Sequence, residues 1–190
     1  SPEERAEIAL AELQRLGAFE REVLIVASPT GTGWLDPAAH DTVEYMHGGD
    51  IATVAVQYSY FQSPLALIFE TDAGLDQATA TLRTVYGHWR TLPPDARPRL
   101  YLHGLSLGAW SSMFSLDLCD LGADPIQGAL WAGPPFPSAL WRRIVARRDP
   151  GSPYVLPRIG EGEVVRFLSQ FGGLEGGPWS DVRVVFLQYA

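Results

Sequence analysis

Arg99 to Gly108, RLYLHGLSLG, is the stretch that decides how this chain is read. Arg99 to His103 reads as a short strand. Gly104-Leu105-Ser106-Leu107-Gly108 follows with no spacer, and a helical run, Ala109 to Leu121, starts directly after it. A G-x-S-x-G pentapeptide set between strand and helix has a mechanical reason for its spacing. The turn is so tight that the central serine is held in a strained backbone conformation, and small residues two before and two after it prevent clashes. Ser106 Oγ is thereby raised above the sheet edge, and the Leu107 N–H, at a helix N-terminus, points to where an oxyanion would form. Ser106 is the candidate nucleophile and Leu107 a candidate oxyanion donor. A chain with 19 glycines can produce the pentapeptide by chance; the strand and the helix on either side are what give it weight.

The pattern repeats outward from this turn. Upstream, Val23 to Ala27 (VLIVA) is apolar on both faces, the mark of a strand buried inside a parallel sheet. It breaks at Ser28-Pro29-Thr30-Gly31-Thr32-Gly33, and a helix is predicted from Pro37 to His47, ended by Gly48-Gly49. Ile51 to Tyr58 is a strand and Leu75 to Leu92 a helix closed by Pro93-Pro94. Downstream come a strand at Gln127 to Ala132, a helix at Ser138 to Arg148 and a last strand at Val182 to Tyr189. At the start, Ser1-Pro2-Glu3-Glu4 is a capping box; Ile8, Leu10, Leu13 and Leu16 supply an apolar stripe, and Gly17 stops the helix. Five strands alternating with helices predict an α/β protein, a mostly parallel sheet with helices on both faces. Residues 1–190 suit a single domain. Its least regular part, residues 134–178, is rich in Pro and Gly but dotted with Phe136, Trp141, Tyr154, Phe167 and Phe171. This part is expected to be a lid or cap-like excursion over one end of the sheet, its aromatics packing it down or lining an acyl pocket.

A second oxyanion donor is expected from the loop after the first strand, Pro29 to Trp34. Thr30 or Gly31 would offer the N–H, and Thr30 is the favoured one. Two rival readings of this loop fail. A dinucleotide fingerprint has Asp36 where its third glycine belongs, and a phosphate-binding P-loop needs a Lys, of which the chain has none. The histidines are less helpful. His103 ends the strand before the turn, so it is poorly placed as base to Ser106 and reads as packed and hydrogen-bonded. His47 reads as a helix C-terminal cap, and His40 and His88 as helix surface. Arg142, Arg143, Arg147 and Arg148 form a solvated helix face or a cradle for an anionic group. Cys119 reads as a small buried residue. No cofactor is implied, and no metal, because the histidines lack ligand spacing.

Composition narrows the class. Of 190 residues 46% are hydrophobic, which excludes a disordered chain. A single cysteine excludes a disulfide scaffold. The net charge of −8 argues against nucleic acid as a partner. All 14 basic residues are Arg, a bias of genome rather than chemistry. The longest apolar stretch, Leu65 to Phe69, is far short of the ~20 residues of a membrane span. An acidic start is unlike a signal peptide. A soluble, acidic, globular domain is expected.

Taken with SPTGTGWLDP (28–37), YMHGGDIATVAVQYSY (45–60), GALWAGPPF (128–136) and ARRDPGSP (146–153), RPRLYLHGLSLG (97–108) resembles the α/β-hydrolase superfamily. More closely, it resembles an actinobacterial family of α/β-hydrolases of poorly defined function in which a multi-helix membrane region precedes the hydrolase domain. The resemblance implies a serine hydrolase with Ser106 as nucleophile, esterase- or lipase-like or an acyltransferase, acting on a small-molecule or lipid-like ester. It also implies membrane association of the full-length protein. In such enzymes the acid and then the His follow the serine on later loops. Here no His follows Ser106, Asp181 precedes the last strand, and the loop after Gln127–Ala132 is Gly133-Pro134-Pro135 without a carboxylate. The resemblance therefore implies that the natural protein continues past FLQYA, the acid and His lying beyond residue 190 or on a second chain or fragment. The alternative is a hydrolase fold used as a non-catalytic binding or scaffold module.

Overall fold

Val23–Ser28 (β1) is buried along all six residues, as its unbroken apolar run requires. Around it the chain, seen in a computed structural model, runs α1 (Pro2–Arg15), a short 3₁₀ turn (Ala18–Glu20), β1, α2 (Pro37–Met46), β2 (Ile51–Ala55), α3 (Thr71–Trp89), β3 (Arg99–Leu105), α4 (Leu107–Leu118), β4 (Gly128–Ala132), α5 (Ala139–Val145), β5 (Val165–Leu168) and β6 (Arg183–Leu187). The structure describes residues 1–60, 71–118, 124–173 and 175–188. Cys119, the stretch Leu65 to Phe69, the expected helix end at Leu121 and the strand end at Tyr189 lie outside the described residues.

The strands form one sheet in the order β2-β1-β3-β4-β6-β5, and every pairing is parallel. Both faces of a parallel sheet need cover. On one face Leu24, Val26, Leu100 and Leu102 meet Trp89 and Val85 of α3, Met113 of α4 and Trp141 of α5. On the other, Val23, Ile25 and Ala27 pack with Val43 of α2 and with Tyr101. The buried indoles are satisfied as well as packed: Trp131 Nε1 donates to Ser112 Oγ (2.9 Å) and Trp89 Nε1 to the Pro98 carbonyl (2.7 Å). The expected α/β architecture, a mostly parallel sheet with helices on both faces, is the one observed.

The helices expected at Leu75–Leu92 and Ser138–Arg148 run Thr71–Trp89 and Ala139–Val145, and further differences from the sequence reading bear on packing. A sixth strand, β5, lies inside the stretch expected as an excursion. It has only four residues with an arginine among them, but Arg166 is buried with its guanidinium donating to the Gly162 and Gly177 carbonyls and lying 3.8 Å over the Trp179 ring. Phe167 stacks on Phe186 of β6 at 4.7 Å, which holds the strand to the sheet. The apolar stripe of α1 is narrower than expected: Leu13 is buried, whereas Ile8 and Leu16 are exposed. β2 stops at Ala55 rather than Tyr58. His40, read as helix surface, is buried against the sheet on the face that also carries Val43. The capping box at Ser1 and Glu4 and the left-handed Gly17 after α1 are as read.

Candidate active site

The site begins at a reversal in strand order. From β1 the chain moves outward to β2 and then returns to β3 on the other side of β1, so the loops leaving β1 and β3 diverge from neighbouring carboxyl ends. In open α/β sheets that crevice is where ligands bind. The register makes the neighbourhood concrete: Ser28, last of β1, pairs with Gly104 of β3.

Ser106 sits between β3 and α4 with φ of 54°, alone among described non-glycine residues in being left-handed. That conformation costs on the order of 1–3 kcal/mol for a residue with a Cβ and persists only where the surroundings impose it. Here they do. The Ser106 N–H donates to the Ala132 carbonyl at the end of β4 (2.8 Å), and its carbonyl accepts the first helical bond from the Trp110 N–H (3.2 Å). A Cβ on Gly104 would lie 2.5 Å from the Ala109 nitrogen, and one on Gly108 would overlap the Ser28 carbonyl oxygen. The two glycines are therefore obligatory: one lets strand and helix close on each other, the other lets α4 pass beside the end of β1. The serine side chain is left exposed, with no hydrogen-bond partner for Oγ among the described residues. Leu107 is the first residue of α4, where an N–H has no intrahelical carbonyl to meet.

The loop after β1 closes on itself. Thr30, at the site's edge and buried, donates its N–H to the Trp34 carbonyl (3.1 Å), and Gly33 donates to the Thr30 carbonyl (2.8 Å). In this conformation the Thr30 N–H is engaged within its own loop, while the neighbouring Gly31 N–H has no partner among the described residues. The loop runs into α2 through Asp36, whose side chain accepts from the Ala38 N–H (3.1 Å).

None of the four histidines meets Ser106. His103 Nδ1 lies 3.0 Å from the Leu130 carbonyl, which makes that nitrogen the donor, and its Nε2 is buried without a partner. His40 packs edge-on against His103, with ring centroids 5.0 Å apart, and its Nε2 is likewise buried and unpartnered. Burial pushes the His103 imidazole below its usual range, helped by the neighbouring His40; burial lowers His40 too, against the pull of Glu44, Asp36 and Asp41. His47 caps α2 as expected and pairs with Glu22 at 3.0 Å; His88 packs edge-on against Phe19. Asp181 is exposed ahead of β6, at the opposite edge of the sheet from Ser106. Arg142, Arg143, Arg147 and Arg148 are exposed, and Arg143 pairs with Asp117. Among the described residues no group of three His, Cys, Asp or Glu converges as a metal site would.

The His40–His103 contact is what the sequence reading missed. A signal was available: His40, Val43 and His47 recur at helical spacing on one side of α2, and Val43 is the core-facing member.

A search of curated proteins gave no match. Among solved structures, esterase PE8 aligns with a TM-score of 0.44 at 16% identity, over 90% of this chain and 84% of that one. The acylaminoacyl peptidase of Pyrococcus horikoshii aligns with a TM-score of 0.42 at 13% identity, over 90% of this chain but 33% of its own. The family model described as alpha/beta-hydrolase family matches residues 1–190, the whole of the sequence that carries the Ser106 turn. The chain belongs to the alpha/beta-hydrolase family.

Proposed function

We propose that this chain carries the nucleophile and oxyanion half of a serine hydrolase acting on esters, with Ser106 as nucleophile. The observation that supports it most is the strained left-handed Ser106, exposed between two glycines that admit no side chain. A fold that only needed a turn here would relax the strain with a glycine. Ser106 Oγ attacks the ester carbonyl carbon as its proton passes to a histidine base held by a carboxylate, groups that the described residues do not bring to Ser106. The carbonyl oxygen, now anionic, takes the Leu107 N–H and a second N–H from the Thr30–Gly31 turn. For Thr30 to serve, its bond to Trp34 must open; Gly31 needs no such change. Collapse of the tetrahedral intermediate breaks the ester C–O bond, and the alcohol leaves with the proton from the histidine. Water, or an acceptor alcohol in a transferase, then attacks the acyl-enzyme by the same route.

Within residues 134–178, whose α5 and β5 pack into the core and the sheet, the loop between β4 and α5 serves this reading as a wall of the acyl side. Phe136 is exposed three residues after Gly133, close behind the Ala132 carbonyl that anchors Ser106. Membership in the actinobacterial branch with a preceding membrane region rests on the motif resemblance. Among the described residues no helix is long and apolar enough to cross a membrane. The second reading, a scaffold that uses the fold without chemistry, is favoured by the absence of any Ser106 Oγ partner among the described residues.

Turnover of short-chain p-nitrophenyl esters by the full-length protein separates the two. Ser106→Ala should lower kcat at least about a thousandfold with the fold intact. Ester turnover unchanged in Ser106→Ala would remove Ser106 from the chemistry, and a folded wild type without turnover would promote the scaffold.

A further inference from the structure

The edge-to-face contact of His40 and His103 joins the two halves of the proposed oxyanion site, and this inference rests on the reading of Ser106 given above. His103 belongs to β3, three residues before Ser106. His40 is the fourth residue of α2, and its N–H donates to the carbonyl of Asp36, where the loop after β1 ends (3.1 Å). At its other end that loop leaves β1 past Gly108, whose missing side chain lets α4 sit against the Ser28 and Pro29 carbonyls. The loop is thus held by the elbow helix on one side and by α2, through His40, on the other. We propose that His40 and His103 are a positioning pair: their contact clamps α2 and the loop of residues 29–36 to the strand that carries Ser106, and the clamp loosens when the pair takes up a proton.

The surroundings explain why a proton would act so. Both rings line a cleft of about 350 Å³ whose other walls include Val43, Tyr101, Leu130, Trp179 and Val185. The other ionisable groups nearest that cleft are His47 at the C-cap of α2, Arg99 of β3 and Arg183 of β6, and Glu22 pairs with both His47 and Arg99. β1 and β4 contribute Val23, Ile25, Ala129 and Leu130, with no ionisable side chain. The carboxylates that favour a charged His40, those of Glu44, Asp36 and Asp41, lie on α2 or at its N-cap, and only Asp36 also favours a charged His103. An imidazolium at either position therefore meets a second imidazole and apolar walls inside the cleft, and is relieved by moving α2 outward. Because the folded state holds both imidazoles below their usual value of about 6.5, the unfolded chain binds more protons under that value. Native contacts at the pair are whole above about pH 6.5 and weaken as pH falls from there through the folded values.

Amide hydrogen exchange of the full-length protein at pH 7.5 and 5.5, corrected for intrinsic rates, tests this without reading Ser106 or turnover. The reporters are the bonded amides of Thr30, Gly33 and His40. Wild type should lose protection at these amides at the lower pH, while β1 and β3 amides hold. His40→Phe, which keeps an edge-to-face ring and cannot charge, should remove the pH dependence, and His103→Phe should do the same. Wild-type loop amides that keep their protection at pH 5.5 would overturn the proposal. So would Phe variants as sensitive as wild type, or core amides lost in step with the loop. Failure of Ser106 to form an adduct or turn over ester would sink the hydrolase reading and leave the exchange result standing by itself.

Discussion

Ser106 and its two glycines set opposite demands on stability. Ser106→Gly should raise stability by about 1 kcal/mol, because glycine enters the left-handed region without the strain a Cβ brings. Urea unfolding measures it, and a loss of stability would contradict the strained turn. Gly108→Ala should cost at least about 3 kcal/mol, since the new carbon overlaps a backbone carbonyl that cannot swing away. Gly87→Ala provides the contrast. It lies in α3, where an added methyl would meet nothing within 4 Å beyond its own helix turn, and should gain about 0.5–1 kcal/mol from helix propensity alone. At this scale the sequence was informative wherever the constraint is local. Gly-x-Ser-x-Gly spacing follows from one tight turn, so it could be read directly. The Thr30 N–H could not be placed the same way, because its partner is a carbonyl fixed only when the loop closes at Trp34.

Among the elements, β1 and β4 were legible because a strand buried on both faces is apolar throughout, and β3 because it runs straight into the Gly-x-Ser-x-Gly turn. β5 was not. Its Arg166 breaks the apolar run, and the groups that satisfy it, the Gly162 and Gly177 carbonyls and the Trp179 ring, are distant in sequence or hidden in glycine-rich loop. Whether β5 is an integral part of the sheet is open to a paired substitution. Phe167→Ala should lower stability by about 3 kcal/mol, since Phe167 is buried and stacked on Phe186. Phe171→Ala, four residues on and 83% exposed, should stay within about 0.5 kcal/mol of wild type. Equal, small effects in thermal unfolding would detach β5 from the cooperative fold. α2 was legible as a helix from Asp36-Pro37 and its glycine stop, yet His40 was misjudged because its burial depends on a histidine sixty-three residues away on β3.

For the whole molecule, strand order matters more than any single contact. Parallel pairing sends every strand's carboxyl end to one edge, and the reversal at β1 opens that edge between the loop of residues 29–36 and the Ser106 turn. Fold class could be read from the alternation of strands and helices; the order β2-β1-β3-β4-β6-β5 could not, since pairing between distant segments leaves no periodic trace. β6 delivers its last residues to the edge that carries Ser106, and Asp181, ahead of β6, is carried to the other one. The proposed ester hydrolysis depends on the strained serine being an activated nucleophile. Intact-mass measurement of the full-length protein before and after a fluorophosphonate probe, beside Ser106→Ala, tests it most directly. A single adduct on the peptide that contains Ser106, absent in Ser106→Ala, is the predicted result. A folded protein that takes up no probe, or an adduct that survives Ser106→Ala, would contradict it.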